Sequence, residues 1–171
     1  LTQSWAYRVQ HGFHSVVLIP GNVYGEWDNF NLEEAHVIPA LVRKYVEAQD
    51  RGDKTITAFG SGRPTRDFVY AGDVAATVPW FIRNYDSSEP VNVSAGRRIS
   101  IRELAETVKK TTGFAGEIVW DAAQPDGQMD KIFDVARLRA LGLSCDTSLE
   151  DGLRRTVQWF RQARQEGTVR L

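Results

Sequence analysis

Phe59–Asp73 reads FGSGRPTRDFVYAGD, and the fold turns on how that stretch is understood. Two glycines, Gly60 and Gly62, flank a serine, and arginines follow. A dinucleotide-binding turn needs three glycines, spaced GxGxxG, between a strand and a helix. Thr65 takes the third place here, and the β-branched and aromatic run RDFVY comes next. That run is a strand, so there is no helix N-terminus to receive a pyrophosphate. The stretch therefore reads as a hairpin connection between two short strands, KTITAF and RDFVYA, with glycines supplying positive φ.

Working outward, helices and strands alternate. LTQSWAYRVQHGF reads as a helix already under way that ends at Gly12. SVVLIP is an apolar, β-branched run, the pattern of a parallel strand buried on both faces, and Pro20 and Gly21 should stop it. From His36, apolar residues recur on one helical face through Val37, Ile38, Leu41, Val42 and Tyr45, with Pro39 in the first turn. Gly72 to Tyr85 is predicted helical, kinked or shortened at Pro79. PVNVS and GEIVWD read as strands. Ser100 and Glu103 form a capping box for a helix whose buried stripe is Ile101, Leu104, Ala105 and Val108. Ser148 and Asp151 frame a last helix that turns Leu149, Leu153, Val157 and Phe160 inward. The alternation means an α/β fold, with too few long parallel strands for a complete doubly wound sheet.

The 171 residues suit one domain, with 42% hydrophobic and 25% charged residues, as in ordinary globular proteins. A net charge of −1 gives no basic surplus for nucleic acid or an anionic membrane. No apolar run reaches the roughly 18 residues of a membrane span, and no signal peptide is visible. The single cysteine, Cys145, cannot form an internal disulfide and has no histidine near it in sequence. Together these features point to the cytoplasm. No His, Cys or carboxylate spacing suits a metal, and no GxSxG motif occurs.

Several residues invite a chemical reading beside a plainer one. Arg66 starts a strand beside a tight turn, and a rigid guanidinium there can grip two phosphate oxygens. The plainer reading pairs it with Asp67 or Asp73. His36 sits at a helix start, where the dipole favours the neutral, basic form, or it merely caps that helix. Lys44, two turns on, either meets phosphate or lies on a solvated face. Phe59 either stacks on a flat ring or belongs to the core. Asp126, in QPDGQ, has turn chemistry. Asn22, in PGNVYG, follows the C-terminal end of a strand, where open α/β sheets place ligands. The five tryptophans read mostly as core or rim residues.

Taken together, IPGNVYGEWDNFNLEEAHVIPALVRKYVEA, FGSGRPTRDFVYAGDVA, VNVSAGRRISIRELAETV and WDAAQPDGQMDKIFDVARLRALG resemble a known family. They look like the C-terminal half of extended short-chain dehydrogenases acting on nucleotide sugars, the NAD-dependent epimerase/dehydratase family. Among its branches the DNF…HVIPAL block is most similar to the GDP-4-keto-6-deoxymannose 3,5-epimerase/4-reductases, or GDP-L-fucose synthases. The resemblance implies a Rossmann-like fold, of which residues 1–171 would form the last parallel strands and a small mixed α/β substrate-binding domain. The coenzyme half, with its glycine-rich loop, serine and Tyr-x-x-x-Lys pair, would precede Leu1; no tyrosine here has a lysine four residues on.

The resemblance also implies roles. His36 matches an acid/base of the epimerisation and a residue beside the coenzyme. Pro20, Gly21, Asn22 and Val23 match the segment beside the nicotinamide. Lys44 and Arg66 match holders of the substrate diphosphate, Phe59 a nucleotide-lining aromatic position often held by tryptophan, and Asp126 a pocket aspartate. Trp27 stands where a smaller or more polar residue is common. NADP, with NAD as the alternative, would be bound mainly by the preceding half. The partner would be a nucleotide-diphosphate sugar, a GDP-sugar, in a homodimer. Without the other half the chain should not transfer hydride. Two other readings are a relative acting on a different nucleotide sugar and a non-catalytic nucleotide-sugar binding module.

Overall fold

The computed structural model describes the whole chain, Leu1–Leu171. Its helices are α1 (Thr2–His11), α2 (Val37–Arg51), α3 (Ala71–Asn84), α4 (Ile101–Thr112), α5 (Ala136–Ala140) and α6 (Leu149–Glu166). Its strands are β1 (Leu18–Pro20), β2 (Asn22–Tyr24), β3 (Thr55–Phe59), β4 (Thr65–Arg66), β5 (Phe68–Tyr70), β6 (Val91–Val93), β7 (Ile99–Ser100), β8 (Glu117–Asp121) and β9 (Asp130–Lys131). The fold is α/β and Rossmann-like, with mainly parallel pairing. β1 pairs with β6, β2 with β5, and β3 with β8, all parallel. β4 lies between antiparallel β7 and parallel β9.

Two hydrophobic clusters fill the interior. In the larger one α2, α4 and α6 pack together through Val42, Tyr45, Leu104, Val108, Leu153 and Phe160. The smaller one gathers Val91, Val93, Phe81, Leu138 and Cys145 from β6, α3, α5 and the α5–α6 link. β5 separates them. Phe68 and Tyr70 face the larger cluster and Val69 the smaller, as the two-residue period of a strand requires. All three are buried, so RDFVY supplies the chain's one strand covered along its whole length.

The caps account for the helix ends. Ser100 Oγ accepts from Glu103 N at 3.0 Å, which is one half of the predicted capping box. Ser148 Oγ accepts from Asp151 N at 3.0 Å and donates to the Asp151 carboxylate at 2.6 Å. α1, α2, α4 and α6 each end on a left-handed glycine.

Four sequence expectations are corrected. Gly60 and Gly62 do have positive φ, 78° and 75°, but the turn is not a hairpin. β3 pairs with β8 while β4 joins β7 and β9, so the turn carries the chain from one sheet to another. SVVLIP is not buried on both faces: β1 keeps only its last three residues, half-buried or exposed, and has β6 as its single neighbour. Pro20 and Gly21 do not end the extended run, which resumes at Asn22 against a new partner, β5. Pro79 does not shorten α3, which runs through it, on a largely exposed face where a missing amide bond can be replaced by water.

Candidate functional site

The change of partner at Gly21 creates the site. Gly21 N donates to Val93 O at 3.1 Å, and the next amide, Asn22 N, donates to Asp67 O at 3.2 Å. The chain passes from β6 to β5 within one peptide. Gly21 is required by close approach, since a Cβ there would collide with the Ser94 side chain and lie 3.5 Å from Asp67 O. Where parallel strands diverge in this way an open α/β sheet forms a crevice.

The crevice is a cleft of about 490 Å³ lined by Gly21–Tyr24, His36–Pro39, Arg66, Phe68 and Lys131. β2 and β5 form its floor. The N-terminal turn of α2 forms one wall, with His36 as the N-cap, in extended conformation at φ −64° and ψ 167°. The loop that delivers His36 is shaped by three successive Asx contacts. Asp28 Oδ1 accepts from Asn29 N, Asn29 Oδ1 from Asn31 N, and Asn31 Oδ1 from Glu33 N, at 2.8, 3.0 and 2.9 Å. Half-burial raises the Asp28 carboxyl above the ordinary carboxylate range, while the Asn29 amide and the His36 charge pull it back. Asp28 thus shares an electrostatic environment with His36.

Two cations face the cleft from the opposite side. Arg66 and Lys131 are register partners across β4 and β9. Arg66 donates to Thr65 O at 2.8 Å, and its predicted plain pairing with Asp67 or Asp73 does not occur. Asp67 turns to the Gly96 and Arg97 amides, and Asp73 to Thr147. Asp130, the neighbour of Lys131, is taken by Arg98 and Thr65. Arg66 and Lys131 are therefore left with positive charge unmatched by an ion pair. Lys131 was not anticipated. Only its register opposite Arg66 marks it, and pairing between β4 and β9 is not visible in sequence.

The structure brings Gly21, Asn22, Val23, His36 and Arg66 to one cleft and keeps four other candidates outside its lining. Pro20 is exposed and is not among the lining residues. Lys44 lies seven residues beyond Val37 on the same helical stripe, about 10 Å further along α2. Its ammonium sits over the Phe59 ring at 5.0 Å from the centroid, so it is not on a freely solvated face. Phe59 is 62% exposed and not a core residue, and that ammonium lies over its ring. Asp126 is spent on the β3–β4 turn: it accepts from Ser61 N at 2.6 Å and Ser61 Oγ at 2.7 Å. Those bonds hold its carboxyl below the usual range, with Arg63 adding to the effect. Of the three cationic or basic candidates, His36 and Arg66 line the cleft and Lys44 does not. Lys44 and Phe59 form a second station on the same wall.

Trp27 is also displaced from the cleft lining. It is 78% exposed with φ 66°, and its ring tilts over Trp159 at 5.1 Å. Cys145 is buried, with its thiol pushed up to about 11 by desolvation first and by Asp73 next. No group of His, Cys, Asp and Glu side chains could hold a metal ion, and no helix is long and apolar enough to cross a membrane.

A family model described as the NAD dependent epimerase/dehydratase family matches residues 2–96. GDP-L-fucose synthase 1 of Arabidopsis thaliana is 41% identical over 155 residues, covering 91% of this chain and 48% of that protein. A crystal structure of a GDP-L-fucose synthetase from Naegleria fowleri superposes with a TM-score of 0.90 at 34% identity, over 99% of this chain and 53% of the other. A second, bound to NADP, gives 0.89 at 36% identity, over 99% and 52%. The chain spans about half the length of the curated relatives it matches.

Proposed function

Because the chain belongs to the NAD-dependent epimerase/dehydratase family, we propose that the complete protein is a GDP-4-keto-6-deoxymannose 3,5-epimerase/4-reductase and that residues 1–171 are its substrate side. The observation that carries this reading is the cleft, which gathers one imidazole, His36, and two cations without carboxylate partners, Arg66 and Lys131, around the strand crossing at Gly21. The similarity to GDP-L-fucose synthases at about 40% identity supports the choice of GDP-sugar over other nucleotide sugars.

The chemistry follows from the substrate class. A 4-keto group acidifies the protons on C3 and C5, so a neutral imidazole can remove one and an acid can return it on the other face. His36, held at the mouth of α2 by the Asx-shaped loop, is the residue for that exchange. Arg66 and Lys131 grip the diphosphate away from the reacting carbons and fix the sugar's register relative to His36. Lys44 and Phe59, further along α2, are placed for the distal part of the nucleotide, where an aromatic face can stack on a base.

Gly21 and Val23 fit one edge of a nicotinamide. Gly21 has no side chain at the crossing, and Val23 offers partly exposed apolar surface. NADP, when bound, supplies hydride to C4, and the turn that would hold its phosphates is not Gly60–Thr65, which runs into β4. In this reading the substrate side has no reductase activity by itself, and the protein works in the cytoplasm as a homodimer.

Calorimetry of the complete protein with GDP, UDP, dTDP and CDP tests the nucleotide. Preference for any but GDP overturns the substrate assignment. A His36→Gln variant in deuterium oxide is expected to lose exchange at C3 and C5 while binding NADPH normally. Unchanged exchange would remove His36 from the reaction.

A further inference from the structure

Asp67 is a buried carboxylate that the chemistry above does not use. Its oxygens accept from Gly96 N at 3.0 Å and Arg97 N at 3.2 Å, and no lysine, arginine or histidine side chain pairs with it. The Arg97 guanidinium turns away to Cys145 O and Thr147 O, at 3.2 and 2.8 Å. The Asp67 peptide is equally committed. Its N–H donates to Lys131 O at 3.2 Å, and its carbonyl accepts from both Asn22 N, at 3.2 Å, and Asn22 Nδ2, at 2.7 Å. One residue therefore joins the segments that carry Asn22 and Lys131, and it directly follows Arg66.

We propose that Asp67 is the positioning residue of the anion clamp: by gripping the Gly96–Arg97 turn it fixes Arg66, Lys131 and Asn22 relative to one another. This rests on the nucleotide-sugar reading. Successive residues of an extended segment point to opposite sides, so a carboxylate anchored inward directs the preceding guanidinium toward the cleft. Two amides converging on one side chain demand two acceptors. A carboxylate supplies both, whereas an asparagine sets its own N–H₂ against one amide and leaves a buried donor unpaired. Gly96 has φ 65°, and a Cβ there would come within 2.6 Å of Val135 Cγ2, so the turn needs glycine at the position whose amide Asp67 accepts.

The test is a double-mutant cycle on the complete protein, with GDP binding read by calorimetry and NADPH binding by fluorescence. Asp67→Asn is expected to weaken GDP about tenfold, the scale of one lost charge-assisted hydrogen bond. In an Arg66→Ala background the same change should cost clearly less, about threefold, because one of the two cations it positions is already gone. NADPH affinity should fall by less than GDP affinity, because of the three residues only Asn22 stands beside the nicotinamide. Undiminished GDP affinity in Asp67→Asn overturns the inference, as does full additivity with Arg66→Ala or an equal loss for NADPH. Should Asp67→Asn fail to fold, Asp67→Ser, whose hydroxyl still accepts one amide, replaces it in the same cycle with the same criteria. Wild-type protein that binds no GDP overturns the nucleotide-sugar reading itself. Wild-type binding with additive variants overturns only the role of Asp67.

Discussion

Gly152 lies in the first turns of α6, where a glycine costs stability for no local reason. Alanine at an ordinary helical site would be better by about 1 kcal/mol. The structure opposes that gain. A Cβ on Gly152 would lie 2.9 Å from Tyr24 Cζ and 3.1 Å from Cε2, inside any normal contact, and closer still to the hydroxyl. Tyr24 is 2% exposed, packs edge-on against Tyr70, and is a rigid ring rather than a flexible tip. Forcing extra carbon into such a site costs about 1–3 kcal/mol. The packing term should win, leaving Gly152→Ala about 1 kcal/mol less stable. Tyr24 also lines the cleft, so its displacement should carry into Asn22 and Val23 and weaken NADPH binding. Thermal unfolding of the complete protein, which moves about 2–4 °C per kcal/mol at this domain size, reads the first effect, and calorimetry reads the second. A variant that melts higher than wild type, as helix propensity alone demands, would refute the packing of α6 on Tyr24.

Other expectations follow from single contacts. Cys145, buried with a thiol pushed up to about 11, should react with iodoacetamide at pH 8 about a hundredfold more slowly than a free cysteine, on thiolate fraction alone. Fast labelling of the native state would contradict its burial. Asp126 has a folded pKa below the ordinary carboxylate value, so its bonds to Ser61 stabilise fully above that value and are lost as pH falls through the depressed one. Acid titration followed by tryptophan fluorescence should show a step below about pH 4 that Asp126→Asn removes. An unaltered titration would contradict the Asp126–Ser61 bonds. The isolated 171-residue chain exposes Trp5, Val9, Phe13 and Ile82, at 57%, 65%, 57% and 75%, and should self-associate in sedimentation. A monomer at high concentration would contradict this.

Local patterns in the sequence carry much of this fold and fail where pairing is distant. α4 and α6 are legible because apolar period, cap and terminal glycine agree within each segment, and α2 because its apolar period and terminal glycine agree, although His36 makes no side-chain cap bond. Ser100 and Ser148 mark their helix starts, and Gly52, Gly113 and Gly167 mark helix ends. The β3–β4 turn misleads because glycines flanking a serine between two strands look alike whether the strands pair with each other or with partners elsewhere. Its true partners, β7, β8 and β9, lie more than thirty residues on. Burial of SVVLIP misleads for a similar reason. Composition reports what a strand can bury, while exposure depends on whether a second neighbour is present, and β1 has one.

The site divides along the same line. His36 and Arg66 were legible because each stands at an element boundary that the local sequence defines, a helix start and a strand start. Lys131 was not, because its place depends on a two-residue ladder with Arg66 across a separation that no local pattern reports. Asp126 drew attention through turn chemistry, yet its carboxylate serves Ser61 on a different loop. Asp67 went unnoticed as a possible organiser because a carboxylate beside an arginine suggests an ion pair, whereas alternation along an extended segment sends the two side chains apart. The arrangement has a functional consequence. An anion clamp whose cations lack carboxylate partners must be held by groups that do not pair with them, and backbone amides satisfied by a buried aspartate on the far side do this while leaving both cations free of an ion pair.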